Sequence, residues 1–348
     1  MVMQLGIKDI SLHLRKYLIF YTVLATLLAL PIGYYYMTEI AHNKALISNL
    51  VTIIAALTIF PSMIQLKTEG FVKSFKDWKS IAIFLSYTFV LFPVIAMALA
   101  PTLGDPHVGV GFVAANAVPA SSASLGYVFI VGGSVELAAA LAIVSIAVGL
   151  PVIPLIIKSY ANIASISVPI EPIIISLTEV LIVPLLLGQL TRFAAMRKKG
   201  RNYVDEFLKP LFSFWTMLGI LSLVFLLIFS QAAKIISNPF VAIMILVYQV
   251  VAIFGVFALA LGISKALHIK YENHQAIVLL SVGKNESVAA AVTTSALGPQ
   301  AAIAPALIPM VQPIAIIAYL NMENWVKRFL GYGKRGEEES SEKKGHSL

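Results

Sequence analysis

Two polar clusters that interrupt apolar blocks carry most of the chemistry in this sequence. The candidate binding residues in them are Asn116, Pro119, Ser121, Ser122, Ser124, Gly283, Lys284, Asn285, Glu286 and Ser287. Their hydroxyl, amide, ammonium and carboxylate groups can bind a small polar solute or an ion. A charged side chain at the centre of a bilayer costs roughly 2.5–3.5 kcal/mol. Lys284 and Glu286 are therefore predicted to serve function, with a purely structural buried ion pair as the alternative.

Local geometry predicts that both clusters break a helix. Pro119 lacks a backbone donor, and neighbouring serine hydroxyls can satisfy the groups that it frees. The alternative here is a kinked helix whose small residues pack against a neighbour. Lys284 and Glu286 are two positions apart, so on a regular helix they would point to different faces. This spacing favours unwound backbone or two separate partners.

A few other polar side chains inside apolar blocks are candidates for coupling, namely Glu179, Thr88 and Gln312. Gln312 and Gln249 are also interpreted as helix–helix contacts. The six histidines show no metal-ligand spacing and the chain has no cysteine, so neither a metal nor a cofactor is expected. No phosphate-binding Gly-Lys-Ser/Thr motif is present, which argues against ATP-driven pumping.

The blocks themselves define the fold class. Of 348 residues, 59% are hydrophobic and 12% are charged, against about 25% charged in soluble domains. The apolar residues form ten blocks of about 20, the length that crosses a bilayer as a helix. The blocks are 17–37, 47–66, 80–100, 108–131, 135–157, 172–192, 209–230, 239–264, 273–297 and 300–321. They predict an all-α polytopic membrane protein with about ten transmembrane helices.

The distribution of Lys and Arg supports this count. With both termini in the cytoplasm, 21 of the 25 basic residues lie on the cytoplasmic side and three outside, and Lys284 remains within a block. This is the asymmetry of a multi-pass protein of the cell membrane. It also explains the net charge of +8 without a nucleic-acid partner. The expected partners are the lipid bilayer and a small-molecule substrate.

The ten blocks divide into two halves of five. Because five is odd, the second half would enter the membrane inverted, as in transporters built from inverted repeats. We expect a first repeat over 1–168, a second over 169–325, and a charged, disordered cytoplasmic tail over 326–348. The polar clusters fall in the fourth block of each half. Inverted repeats place the binding site where such interrupted helices meet, so helices 4 and 9 are predicted to cross.

Three stretches carry a family resemblance. Leu57 to Met63 precede a basic stretch that runs to Trp78. The segment Pro119-Ala-Ser-Ser-Ala-Ser124 is similar to a Pro-Gly-Gly-Thr-Ala-Ser crossover, and the segment that begins at Asn285 is similar to Asn-Ser-Gly-Leu-Ala-Ala-Ala-Leu. In this order they resemble the bile-acid:sodium symporter superfamily, which includes the arsenite efflux permeases and shares its architecture with the auxin efflux carriers.

The resemblance implies a panel domain of spans 1, 2, 6 and 7 and a core domain of spans 3–5 and 8–10. Substrate would bind in the cleft between them, and rocking would alternate access. The positions that ligate sodium in coupled members carry aliphatic side chains here, namely Leu125, Ala138, Ala142 and Leu280, and a neighbouring glutamine position is Lys284. We therefore hypothesise that the Lys284 ammonium replaces a bound cation, bonding to carbonyl ends and to Glu286 or Asn285.

The expected function is secondary transport of a small organic anion by alternating access, as a sodium-independent uniporter or linked to protons, and not an enzymatic reaction. The coupling ion, Na⁺ or H⁺, is left open. One alternative is an arsenite efflux permease. Those permeases carry a glutamate that Glu286 could match, but they typically also use a cysteine, which this chain lacks. The others are a sodium-coupled organic anion symporter and a membrane sensor or channel that does not transport.

Overall fold

The computed structural model describes residues 16–66 and 77–332 and, ahead of them, Ile10, His13 and Leu14. This part of the chain is helical, and its single backbone bridge joins Ala120 to Lys284. The main helices are α1 (Leu18–Tyr35), α2 (Lys44–Gln65), α3 (Trp78–Leu103), α4a (Pro106–Ala117), α4b (Ser124–Ile130), α5 (Val135–Ile163), α6 (Ile170–Gly200), α7 (Lys209–Ser237), α8 (Pro239–Ala266), α9a (Tyr271–Val282), α9b (Glu286–Val292), α10 (Pro299–Asn321) and α11 (Glu323–Phe329). A short helix over Met37–His42 connects α1 to α2. Each of the ten predicted blocks coincides with one helix or one interrupted helix.

Seven of these helices are long and apolar enough to cross a membrane. They are α2, α3, α5, α6, α7, α8 and α10, while α1 contributes a shorter apolar helix over Phe20–Tyr35. The predicted class, an all-α polytopic membrane protein, is confirmed. The inverted repeat and its boundaries stay predictions.

Polar side chains fix where several helices begin. Asp77 accepts a hydrogen bond from the Ser80 amide at the start of α3 (3.2 Å), and Asp105 accepts one from the His107 amide at the start of α4a (2.8 Å). Ser134 does the same for α5. Each of these side chains satisfies a backbone donor that the first turn of a helix leaves free. The short polar gaps of the sequence are thus helix starts.

Two groups of helices surround the centre of the molecule. In one group α7 packs against α1 and α2, and α6 packs against α2. In the other, α8 packs against α10 and α9a, while α5 packs against α4a and α9a. Very close approaches hold the first group together: a Cβ added to Gly33 of α1 would lie 2.3 Å from the Phe229 carbonyl oxygen of α7. Small residues permit such helix contacts in membranes.

The outer surface is strongly apolar. Large exposed side chains recur on the outward faces of α1, α2 and α6, among them Phe20, Leu27, Leu57, Leu186 and Leu190. A soluble protein rarely exposes so continuous an apolar surface. The outer faces are therefore suited to lipid chains.

The tail begins later than the sequence analysis expected. It was predicted from residue 326, but α11 runs to Phe329 and buries Val326 completely. Lys327 forms an ion pair with Glu323 one turn earlier, which supports the helix (2.5 Å). The remainder of the predicted tail, 333–348, and the basic stretch 67–76 lie outside the described residues.

Candidate functional site

The two interrupted helices cross through their backbones. Between α4a and α4b the chain is non-helical from Val118 to Ala123, and between α9a and α9b from Gly283 to Asn285. The Ser121 amide donates to the Gly283 carbonyl (2.7 Å), and the Asn285 amide donates to the Pro119 carbonyl (2.9 Å). These two hydrogen bonds satisfy backbone groups that the helix breaks release at membrane depth. The predicted crossing of helices 4 and 9 is therefore present.

Gly283 makes this crossing tight. A Cβ at this position would lie 1.8 Å from the Ser124 hydroxyl oxygen and 2.9 Å from the Leu279 carbonyl oxygen. The Ser124 hydroxyl also donates to the Gly283 carbonyl at 3.3 Å. A third helix supports the crossing, because the Ser145 hydroxyl of α5 accepts from the Ala120 amide (3.2 Å). No side chain larger than hydrogen fits at position 283 without displacing Ser124.

Lys284 is buried, and its ammonium leaves the crossing to reach α3. Its Nζ donates to the Thr88 carbonyl at 2.9 Å and lies 4.8 Å from the centre of the Phe92 ring. The Thr88 carbonyl is available for a local reason. A π-turn over Tyr87–Leu91 directs the Phe92 amide to the Tyr87 carbonyl, and the next residue, Pro93, has no N–H. Lys284 supplies the donor that α3 lacks.

Glu286 has the opposite environment. It is the first residue of α9b and is 9% exposed. Within the part of the chain that the structure describes, neither carboxylate oxygen has a hydrogen-bond partner. The expected bond from Lys284 to Glu286 or Asn285 is thus replaced by one to Thr88, whereas the expected bond to a carbonyl group is present. A buried carboxyl group without hydrogen-bond partners is costly, which makes Glu286 a candidate to accept hydrogen bonds from a ligand.

A cavity of about 100 Å³ lies beside the crossing. One wall is mainly apolar and comes from α7 and the start of α1. It includes Leu223 and Leu227 of α7 and Thr22 of α1. The other wall comes from the two crossovers and α10, and it includes Glu286 and Gln312. Pockets for drug-sized ligands measure about 300–1,000 Å³. This cavity, between the two groups of helices, fits a much smaller solute.

The cavity gathers about half of the predicted site residues. Those that line it are Ser121, Ser124, Lys284, Asn285, Glu286, Ser287 and Gln312. Pro119 and Gly283 act through their carbonyls at the crossing, and Thr88 acts through its carbonyl on α3. The Gln312 amide donates to the Lys284 carbonyl (3.3 Å), which ties α10 to the second crossover.

Three predicted residues lie elsewhere. Asn116 donates to the Phe112 carbonyl and to the Gln249 side chain of α8, both at 3.0 Å, so it joins helices and does not line the cavity. The interpretation of Gln249 as a helix–helix contact is confirmed by the same bond. Ser122 accepts a local backbone bond from Leu125. Glu179 is exposed on α6, and its role in coupling stays a prediction.

The prolines of α10 that line the cavity were not predicted from the sequence. Pro305, Pro309 and Pro313 all line the cavity and are spaced four residues apart, so they share one side of the helix. The four-residue spacing can be read from the sequence. Because proline has no backbone N–H, this spacing indicates a stretch of helix in which several hydrogen-bond donors are missing. Tyr127 of α4b, which also lines the cavity, gave no such signal.

The positions that the resemblance assigns to sodium ligands are apolar in the structure as well. Ala138, Ala142 and Leu280 are fully buried, and Leu125 packs against the apolar core. None of these side chains offers an oxygen atom. The polar atoms near the crossing come instead from the crossovers, Thr88, Ser145 and Gln312.

Fold and site together define a polytopic membrane protein whose two interrupted helices cross beside a small central cavity. Residues 52–239, more than half of the chain, match the Sodium Bile acid symporter family, and the chain belongs to this family. The expected family is confirmed. Membership of a symporter family also agrees with the prediction that the chain is not an enzyme.

Two curated relatives share part of the sequence. The arsenical-resistance protein Acr3 of Corynebacterium glutamicum is 28% identical over 134 residues, which cover 38% of this chain and 36% of that protein. The arsenical-resistance protein Acr3 of Alkaliphilus metalliredigens is 30% identical over 111 residues, 32% of this chain and 31% of that protein. The chain thus spans about a third of the length of the curated relatives that it matches.

Proposed function

We propose that this chain is a secondary transporter that moves a small, hydroxyl-bearing solute by alternating access at the cavity beside the crossed helices. The observation that carries the proposal is the unpaired Glu286 carboxylate in the lining of that cavity. A carboxylate accepts hydrogen bonds and offers no donor when ionised. A solute with several O–H groups would satisfy both oxygens.

The position of the cavity supports alternating access. Its apolar wall belongs to α7 and α1, and its polar wall belongs to the crossovers and α10. These walls come from the panel and core groups that the resemblance implies. Rocking of one group against the other would expose the cavity to each side in turn, as in other transporters with binding sites between repeats. The cytoplasmic position of both termini remains part of this proposal.

The first candidate solute is arsenite in its neutral form, As(OH)₃. It has three hydroxyl donors and few atoms, which suits a cavity of about 100 Å³. The two similar proteins are named for arsenical resistance, which points to the same solute class. Because the chain contains no cysteine, arsenic would be bound through its hydroxyl groups and not through a thiolate.

The second candidate is a small organic anion, the class that the sequence analysis favoured. Lys284 supplies a positive charge at the second crossover, which is the observation in its favour. That ammonium is bonded to the Thr88 carbonyl, and the Glu286 carboxyl group lies in the same lining without a partner among the described residues. An anion would have to be accepted next to Glu286, so it ranks below a neutral solute.

The decisive experiment compares Glu286→Gln with Glu171→Gln, the same substitution at an exposed position at the start of α6. Purified protein is reconstituted in vesicles, and exchange of arsenite and of small carboxylates is measured. We expect Glu286→Gln to lower arsenite exchange by about tenfold or more, since an amide offers one acceptor oxygen in place of two and a buried bond is worth about 1.4 kcal/mol or more. Glu171→Gln should leave it unchanged.

Two outcomes would overturn the assignment. If wild-type vesicles exchange none of the probes, the chain is not a transporter for these solute classes. If a carboxylate is exchanged and Glu286→Gln improves that exchange, the organic anion replaces arsenite as the substrate.

A further inference from the structure

Lys284 forms an unusual contact for a buried cation. No carboxylate lies within ion-pair distance of its ammonium among the described residues. Its partners are instead a neutral carbonyl oxygen and the face of an aromatic ring, at 2.9 Å and 4.8 Å. Oxygen dipoles and π-faces also bind free monovalent cations. The groups around this ammonium are therefore those of a cation-binding site. The cation that occupies it is the Lys284 side chain itself.

The site is built into α3 independently of Lys284. The π-turn and Pro93 leave the Thr88 carbonyl without a helical donor. Phe92, fully buried, supplies the ring. Without the ammonium, the Thr88 carbonyl oxygen and the face of the Phe92 ring would be left facing an empty, buried space.

We propose that Lys284 is a positioning residue that acts as a built-in monovalent cation, locking the second crossover to α3 so that the cavity forms without a dissolved sodium ion. The proposal rests on the proposed transport function and specifies its ion requirement. Lys284 lies within the three-residue break and Glu286 follows directly after it, so fixing the break to α3 also fixes where the carboxylate stands. Gln312 fixes the same segment from α10 through the Lys284 carbonyl.

The first test measures the wild-type protein. Its melting temperature is determined without solute in equal concentrations of sodium chloride, methylammonium chloride and choline chloride. We expect the same value in all three salts and no saturable binding of radioactive sodium. A sodium-specific rise in melting temperature, or stoichiometric sodium binding, would overturn the proposal.

The second test compares Lys284→Ala with Lys284→Met. Alanine empties the space of the side chain, whereas methionine fills it with a neutral chain of similar length. We expect both variants to melt at a lower temperature in choline chloride. Sodium or methylammonium should raise the melting temperature of Lys284→Ala in a saturable way and should leave Lys284→Met unchanged, because no room remains for an ion.

Arsenite exchange in vesicles provides the functional readout. Wild-type exchange should be equal in sodium and choline, and Lys284→Ala should fall by about tenfold or more in choline and recover in part with methylammonium. Equal rescue of both variants would show a general salt effect and contradict the proposal. If neither variant folds, the wild-type sodium measurements decide. If wild-type vesicles exchange no probe, the proposed function fails, while the melting temperatures still test the built-in cation.

Discussion

The two crossovers do similar structural work with different chemistry. The first, Val118 to Ala123, is a six-residue break with serine hydroxyls and no charge. The second, Gly283 to Asn285, is three residues long, and a lysine and a glutamate stand within and directly after it. Each supplies one donor and one acceptor to the other. The comparison teaches that neutral backbone pairing joins the two crossovers to each other, whereas the charged residues of the second crossover add a contact to α3 and an acceptor beside the cavity.

The neutral crossover is fixed by neighbours on both sides. Ser145 of α5 holds Ala120, and Asn116 connects the end of α4a to Gln249 of α8. The charged crossover is held by Thr88 and Gln312 through Lys284, while the Glu286 carboxylate has no hydrogen-bond partner among the described residues. One crossover is thus fully anchored, and the other keeps one unsatisfied group beside the cavity.

Gly283→Ala should have the largest effect, because it changes the position at which the two crossovers are in contact. The new methyl group would overlap the Ser124 hydroxyl oxygen, 1.8 Å from an ideal Cβ. We expect a loss of about 3 kcal/mol, in the upper range for overpacking, seen as a large fall in melting temperature. The double variant Gly283→Ala with Ser124→Gly removes the overlapping hydroxyl and should recover much of the loss. No recovery would mean that the Leu279 carbonyl, at 2.9 Å, sets the limit.

Pro93→Ala tests whether the charged crossover depends on the free carbonyl of α3. Alanine restores an N–H that can compete with Lys284 for the Thr88 carbonyl, so we expect arsenite exchange to fall by about five- to tenfold, or roughly 1 kcal/mol. The measurement is exchange in vesicles together with the melting temperature. Pro184→Ala is the matched control, because α6 has the same π-turn (Thr178–Ile182) followed by a proline at the same spacing. An equal effect of both substitutions would contradict a special role of Thr88.

The side-chain hydrogen bond that anchors the neutral crossover should contribute less to stability. A double-mutant cycle of Asn116→Ala and Gln249→Ala measures the bond between α4a and α8 (3.0 Å). Side-chain hydrogen bonds between membrane helices average about 0.6 kcal/mol in such cycles, and we expect a coupling of that size. Solute affinity should not change, since neither residue lines the cavity. A change in affinity with unchanged stability would make Asn116 a binding residue after all.

Ser124→Ala should have the smallest effect. The Ser124 hydroxyl donates to the Gly283 carbonyl at 3.3 Å, but this carbonyl already accepts the shorter bond from the Ser121 amide. We expect a loss of about 0.5 kcal/mol in stability and little change in exchange. Because Ser124 lines the cavity, a large loss of exchange at constant melting temperature would show instead that the neutral crossover contacts the solute.

Much of the fold could be predicted from the sequence because bilayer physics leaves few choices. Apolar blocks of about 20 residues must be helices, and the distribution of Lys and Arg predicts which ends of the helices face the cytoplasm. The breaks at Pro119 and Gly283 were visible for the same reason, since polar and helix-breaking residues are costly inside such blocks. The cavity lining was only partly predictable. The serines and charged residues predicted the crossovers. The prolines of α10 that line the cavity were not predicted, although their four-residue spacing is present in the sequence.

By itself, the sequence determined that this protein is helical, spans the membrane and carries two polar breaks, one of them charged. These are properties of composition and local order along the chain. The tertiary structure alone decided the partners. The Lys284 ammonium bonds to a carbonyl 196 positions away, and the Glu286 side chain, two residues later, has no hydrogen-bond partner in the part of the chain that the structure describes. The reason is physical. Which buried groups are satisfied depends on where a turn of another helix frees a carbonyl and where packing leaves a cavity, and neither is encoded at the positions of the charges.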